Sequence, residues 1–190
     1  MLQSNPRLST SLGADLRALR KARGMTLTDL SVALGRSVGW LSQVERDLSD
    51  PSVTDLRHIA AALDVPVSML FSNHAAPAAE SGYIVRQGAR RAIGSARAGL
   101  VEELLSPDLT DDFEMVHSTF QPHSEIGETV TRPTQEVGFL VSGRLELTIG
   151  ARAFTIHPGD SFRIRGEPFR WANPHDEPAV AIWVIAPPVY

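Results

Sequence analysis

The feature that most constrains this chain is a change of hydrophobic period part-way along it. Up to about residue 71, leucines and other apolar residues recur three and four apart, as one face of an α-helix requires. From residue 83 onward they fall in short runs of strand type, set between Gly and Pro turns. A backbone that serves one period cannot serve the other. The chain is therefore expected to be multidomain, with a helical unit over 9–72 and an all-β unit over 83–190. Residues 73–82 between them are small, polar and Pro-containing, and read as a linker.

In the helical part, Leu12, Leu16 and Leu19 form the stripe of a first helix over 12–23, capped by Ser11 and ended by Gly24. Thr26 caps a second helix, with Asp29 in the position of a capping box and Leu27, Leu30 and Leu34 as its apolar residues. Gly35 makes a tight turn. Ser37 caps a third helix that runs to about residue 45, with Leu41 and Val44 facing inward. A loop at 50–52 leads to a fourth helix over 54–63, which buries Leu56, Ile59, Ala60 and Leu63. Pro66 allows a short fifth helix over 67–71. In the β part the expected strands are 114–120, 137–141, 144–149, 153–156, 161–164 and 179–185. Gly143 and the Gly159/Asp160 pair make hairpin turns, and closely spaced strands without a helical period argue for a sandwich or barrel.

Composition narrows the chemistry. With 190 residues there is room for two modest domains, and with no Cys there are no disulfides, thiolate metal sites or Cys nucleophile. No apolar run approaches the ~20 residues that cross a bilayer, and the N-terminus lacks a signal-peptide core, so the expectation is a cytoplasmic protein without membrane contact. The net charge of −4 is unevenly placed. Residues 1–72 hold eight basic and seven acidic residues, whereas 73–190 hold ten and fifteen. Arg17, Arg20, Lys21 and Arg23 cluster on the first helix and its end, a local patch suited to phosphates.

Two short helices about a tight turn, the second opening at a Ser cap, are the layout of a helix-turn-helix whose second helix lies in the DNA major groove. Base readers come from the N-terminal half of that helix: Ser37, Val38, Gly39, Ser42 and Gln43. Gln43 can pair bidentately with adenine and Val38 can meet a thymine methyl, while Gly39 admits only close backbone approach. Arg20, Lys21, Thr26, Leu27, Arg36 and Arg46 complete the expected DNA-binding set. Trp40 is either exposed or packed on the preceding turn. So weakly polar a reading face leaves much of the specificity to phosphate contacts and DNA shape.

Over 9–71 the chain resembles the phage-repressor-like (lambda-repressor-like, XRE) helix-turn-helix family of five-helix domains. Arg20, Thr26, Leu30, Gly35, Ser37, Leu41, Ser42, Glu45, the 50–52 loop, Leu56, Ile59, Ala60, Leu63, Val65 and Phe71 carry the resemblance. It implies an Arg20–Glu45 ion pair that fixes the first helix against the third and holds Arg20 near a phosphate. Two recognition helices about one DNA turn apart are the usual geometry, so a homodimer on a palindromic operator in double-stranded DNA is expected.

The second unit resembles a small cupin (RmlC-like jelly-roll) barrel, on residues 131–147 and 158–174. Metal-binding cupins place two His three to six residues before the Glu of the first segment, and a third four before the Asn of the second. Here Glu136 is present, the upstream positions are Thr129, Val130, Thr131 and Arg132, and the third position is Phe169, four before Asn173. His117, His123, His157 and His175 lie elsewhere. No metal, no cofactor and no catalytic residue is therefore expected. What remains is a barrel mouth, a natural small-ligand cavity. Arg132, Glu136, Phe169 and Trp171 are its expected ligand-binding residues: an aromatic wall, one carboxylate and one guanidinium.

Such a pocket suits an amine through Glu136 with cation–π help, a carboxylate through Arg132, or a zwitterion through both. Alternatively, Arg132 and Glu136 are an internal ion pair that closes the barrel, and the aromatics are plain core. Fusions of this helix-turn-helix to a cupin form a group of regulators, some resembling regulators of polyamine or amino-acid catabolism. The resemblance implies a ligand-sensing transcriptional regulator, a repressor rather than an enzyme. The competing readings are a cupin isomerase or dioxygenase with a DNA-binding appendage, and a purely architectural dimerising barrel.

Overall fold

The computed structural model describes residues 11–65, 67–70, 80, 82–93, 99–107, 109 and 111–189. Pro66, Phe71 and nearly all of the expected linker lie outside the described residues. The chain divides into two compact units, Met1–Arg91 with Pro107–Thr110, and Ala92–Ser106 with Asp111–Tyr190.

Five helices make up the first unit: α1 (Leu12–Ala22), α2 (Leu27–Leu34), α3 (Val38–Val44), α4 (Val53–Leu63) and α5 (Val67–Leu70). A hydroxyl caps each of the first four. Ser11, Thr26, Ser37 and Ser52 each accept a hydrogen bond from the backbone N–H three residues on. Thr26 with Asp29 and Ser52 with Asp55 close reciprocal capping boxes, which satisfy two orphan donors apiece. The Ser52 box is why α4 opens one residue earlier than periodicity alone suggests. Gly35 ends α2 at φ 62°, a left-handed conformation that glycine adopts without penalty.

Leu16, Leu19, Leu30, Leu41, Ile59, Leu63 and Met69 form the interior of this unit. Leu12, Leu27 and Leu34, which share the apolar stripes, are only half-buried at its margin. Gly13 fixes the seating of α1. A Cβ there would lie 2.4 Å from the Val44 carbonyl oxygen, and its N–H donates to Asp47 Oδ1 at 2.9 Å. The backbone of α1 thus packs directly on the end of α3.

The second unit is built from two antiparallel sheets. Strands are β1 (Arg91–Ile93), β2 (Leu100–Leu104), β3 (Glu114–Phe120), β4 (Ser124–Glu125), β5 (Gln135–Ser142), β6 (Leu145–Ile149), β7 (Arg152–Ile156), β8 (Ser161–Arg165), β9 (Phe169–Asn173) and β10 (Ala179–Ala186). One sheet has the order β1-β2-β3-β10-β5-β8, the other β4-β9-β6-β7. All six expected strands are present within two residues at each end. β1, β2, β4 and β9 are not among them: β1 and β4 are too short to show a period, β2 carries Glu102 and Glu103 in mid-run, and β9 is betrayed only by the alternation of Phe169, Trp171 and Asn173.

Strict alternation sends Glu136, Gly138 and Leu140 of β5 inward, with Phe169, Trp171 and Asn173 of β9. Phe120 meets Trp171 edge-on at 4.8 Å, and Phe162 meets Trp183 likewise at 4.8 Å. Gly138 is required beneath that second pair, since a Cβ would stand 2.2 Å from the Phe162 ring. Buried Asn173 donates to the carbonyls of Phe120 and Glu177, and so ties β9 to the turn before β10.

Candidate nucleic-acid interface and barrel cavity

The first turn of α3 is set by the Ser37 hydroxyl, which accepts from Trp40 N–H at 3.1 Å. With Leu41 and Val44 buried, the opposite face presents Val38, Gly39 and Gln43 to solvent, and Ser42 half-buried beside them. Nothing lies within 4 Å of where a Gly39 Cβ would be, so its backbone is open to close approach. Thr26 is exposed at the start of α2 but its hydroxyl is engaged with Asp29, and Leu27 is half-buried. Arg46 is exposed and its Nε donates to the Ser42 carbonyl at the end of α3.

The basic cluster on α1 divides into two kinds. Arg17 and Lys21 are exposed. Arg20 is only 7% exposed; its Nε and Nη2 grip both oxygens of Glu45 at 2.6 and 2.9 Å, and Nη1 donates to the Met25 carbonyl at 2.7 Å. The Arg20–Glu45 pair is therefore a brace between α1 and α3, and the guanidinium faces the interior rather than the surface where a phosphate would lie. Hydrogen bonding to Glu45 raises the Arg20 pKa above its ordinary value. Arg23 donates to the carbonyls of Leu63 and Asp64, and so closes the end of α4. Arg36 pairs with Asp55 at 2.6 Å and lies over the Trp40 ring at 5.1 Å, which places Trp40 against the preceding turn. The Ser52 hydroxyl first, and Arg36 next, hold the Asp55 carboxyl down to about 2.

Inside the barrel, Arg132, Glu136, Phe169 and Trp171 come together as the sequence pattern implies. Glu102, Phe120 and Trp183 join them around a cavity of about 50 Å³. Glu136 is fully buried and accepts from the Thr134 hydroxyl at 2.6 Å. Arg132 stands at the rim, its side chain 38% exposed, with Nη1 4.0 Å from Glu136 Oε1 and its guanidinium 5.8 Å from the Phe169 ring centroid.

Two further carboxylates were missed at the sequence level. Glu102 accepts from Ser118 at 2.9 Å, and burial raises its pKa. Glu114 is level with Glu136 across the sheet, both opposite Ile185 of β10. Its Oε1 accepts from Val189 N–H at 3.1 Å, Oε2 has no partner among the described residues, and burial pushes it up to about 7. The signal for Glu102 was available in the alternation Leu100, Glu102, Leu104 on one face of β2.

The cupin metal position was tested against these residues. Beside Glu136 stand a guanidinium and a phenyl ring, neither of which can ligate a metal. His117 lies near Glu103, His123 near Asp176 and His175 near Glu146, while His157 is exposed at the turn after β7. Among the described residues no group of three His, Cys, Asp or Glu could hold a metal ion. The donor set does not fit the cupin metal.

The helix-turn-helix domain family matches residues 11–70, and the cupin domain family matches residues 116–185. Residues 11–70 are thus a helix-turn-helix domain and residues 116–185 a cupin domain. The HTH-type transcriptional regulator PuuR of Escherichia coli strain K12 is 24% identical over 165 residues, which is 85% of this chain and 86% of that one. The HTH-type transcriptional regulator SutR of the same organism is 42% identical over 65 residues, 34% of this chain and 36% of the relative. A solved HTH_3 family transcriptional regulator from Vibrio cholerae is 22% identical, with 95% of this chain and 97% of that chain covered and a TM-score of 0.44. The curated relatives are transcriptional regulators with a helix-turn-helix, which supports DNA binding by this one. No helix among the described residues is long and apolar enough to cross a membrane.

Proposed function

We propose that this protein is a cytoplasmic, homodimeric transcriptional repressor whose hold on a palindromic operator is released by a small organic cation entering the barrel. Val38, Gly39, Ser42 and Gln43 read base edges in the major groove, with Ser37 positioning the first turn of α3. Lys21, Arg46 and the start of α2 at Thr26 and Leu27 meet the phosphates. Arg36 and Arg20 act from behind, as the supports of Trp40 and of α3. The barrel contributes binding and no chemistry, since the metal position holds no metal-binding set.

One observation carries the ligand class: buried Glu114 and Glu136 and half-buried Glu102 share the barrel interior with a single guanidinium, that of Arg132, which stands 4.0 Å from Glu136. Charge buried in a low-dielectric interior is costly without compensation. An ammonium group on Glu136 and Glu102, faced by Phe169 and Trp171, supplies that compensation. Arg132 meets the same carboxylate and the same ring from the rim. The incoming cation therefore displaces Arg132, and the cavity enlarges as the guanidinium swings out. That difference between the two barrel states is what a ligand needs in order to shift operator affinity.

The cavity size favours a second reading. About 50 Å³ suits a water or two, against the roughly 300–1,000 Å³ of ordinary ligand pockets. On this reading the barrel is purely architectural and Arg132–Glu136 is a permanent closure. Titration of the operator complex with small mono- and diamines, with Trp171 and Trp183 fluorescence followed in parallel, separates the two. Release of DNA that is lost in Glu136→Gln supports the sensor. Unchanged fluorescence and unchanged operator affinity up to millimolar amine, for every amine tried, leave the architectural barrel.

A further inference from the structure

The two sheets of the barrel differ on their outer faces. The four-stranded sheet shows solvent Glu146, Thr148, Thr155 and Arg170, an ordinary polar surface. The six-stranded sheet shows Val137, Phe139 and Val141 of β5, Val184 of β10 and Met115 of β3, each exposed by more than a third of its surface. Register makes these one patch. Val184 lies between Val137 and Met115, and Ile182 lies beside Phe139. β5 is eight residues long; at ~3.3 Å per residue and ~4.8 Å between strands, the area over β2, β3, β10 and β5 is roughly 500 Å². That face is apolar over β5 and β10 and at Met115, with His117 and Thr119 on β3 and Glu103 on β2; an exposed apolar patch that spans neighbouring strands marks an interaction site.

We infer that this face is where a second copy of the chain docks, sheet on sheet, about a two-fold axis that runs parallel to the strands and passes over β10. This inference rests on the dimer reading above and names its surface. Two features argue for a copy of the same chain rather than another occupant. First, β10 is the middle strand of the series β2-β3-β10-β5-β8, so an axis over it sets the outward Val180, Ile182 and Val184 of one copy on those of the other and brings Val137, Phe139 and Val141 of β5 over the partner's Met115, His117 and Thr119. Second, the rims are complementary under the same rotation. Outward Arg163 and Arg165 on β8 come to lie over the partner's β2, whose outward residues are Val101 and Glu103. An axis across the strands instead would set Arg163 on Arg163. The footprint with this charged rim approaches the about 800 Å² per partner of a stable interface.

Sedimentation equilibrium of the full chain from about 1 to 100 µM tests the inference, with operator binding measured on the same samples. The wild type is expected to be dimeric. Phe139→Glu is expected to be monomeric with an unchanged far-UV spectrum, because the residue contributes to the outer face and not to the core. Arg163→Glu is expected to raise the dimer dissociation constant about tenfold, and addition of Glu103→Arg to restore it. This charge reversal decides the matter even if Phe139→Glu misfolds. Since the chain has no Cys, Val184→Cys adds a single thiol beside the axis, and a short bis-maleimide should link two copies. A Phe139→Glu, Arg163→Glu double variant that stays dimeric overturns this face while the dimer reading stands. A monomeric wild type overturns both. A dimer made as described that ignores every operator sequence leaves the interface intact and overturns the regulator reading.

Discussion

The two units handle buried carboxylates in opposite ways. In the helical unit Glu45 is gripped by both arms of Arg20, and Asp55 by the Ser52 hydroxyl and Arg36. In the barrel Glu102, Glu114 and Glu136 share one arginine, Arg132, which comes no nearer to Glu136 than 4.0 Å. Closely satisfied pairs of the first kind hold backbone elements at fixed angles. Under-compensated charge of the second kind leaves the interior with an affinity still to be used, by a proton or by a cation. The contrast separates a scaffold from a site more clearly than burial does, because Glu45 and Glu136 are both buried.

Several experiments would break or sharpen that contrast. The largest effect is expected for Arg20→Ala, which strands Glu45 without a partner. Loss of one member of a buried pair costs about 3–5 kcal/mol, so urea denaturation should show a deep loss of stability and operator binding should fail with it. If Arg20→Ala melts like the wild type, the brace is not structural.

Next comes Glu114. Burial holds it near 7 against an ordinary 4.5, so across that window the folded barrel keeps a proton that the unfolded chain has released. Stability therefore falls as pH rises from about 4.5 to 7, by on the order of 3 kcal/mol, and levels off above. Glu114→Gln should flatten the curve. The helical unit has the reverse sign. Asp55 is held down to about 2, so its contribution is present at neutral pH and is lost only as pH falls from about 4 to 2. Acid titration followed by far-UV circular dichroism, with Asp55→Asn as control, checks this second branch.

Gln43→Ala should weaken operator binding by about 1–3 kcal/mol, in a gel-shift titration, while leaving the melting temperature unchanged. The smallest effect is at Gly39. Nothing crowds its Cβ position, so Gly39→Ala should raise helix stability by about 0.5–1 kcal/mol. If the backbone there approaches DNA, the same change lowers operator affinity; a rise in both would exclude close approach at that point.

Legibility in the sequence followed the same division. Local signals were readable for most residues whose role is decided by near neighbours; the turns at Gly143 and Gly159/Asp160 are exceptions, since they carry the chain from one sheet to the other and are not hairpins. The caps at Ser11, Thr26 and Ser37 and the turn at Gly35 follow from chemistry within four residues, and the inward alternation of β5 and β9 follows from period two. Roles decided by distant neighbours were not readable from spacing. Gly13 looks like a weak helix position until Val44 and Asp47 are seen against it. Arg23 looks like a phosphate ligand until the end of α4 claims it. Arg20 was paired with Glu45 by resemblance alone, and its withdrawal from the surface follows from the bidentate geometry. Glu102 escaped notice because two adjacent glutamates disguise a strand, and the size of the cavity was not readable because period says which way Phe169, Trp171 and Trp183 point but not how completely they fill the space between two sheets.

The brace behind α3 has a consequence for how such a protein changes over time. Arg20, Glu45, Gly13 and Asp47 secure the recognition helix entirely from its rear, and none of them lies on the outward side that carries Val38, Gly39 and Gln43. The letters of the address can be rewritten without disturbing the hand that holds the pen. On the proposed reading, new operator preferences are then open to single substitutions at those outward positions, whereas a change at any of the four rear residues would be felt at every operator alike.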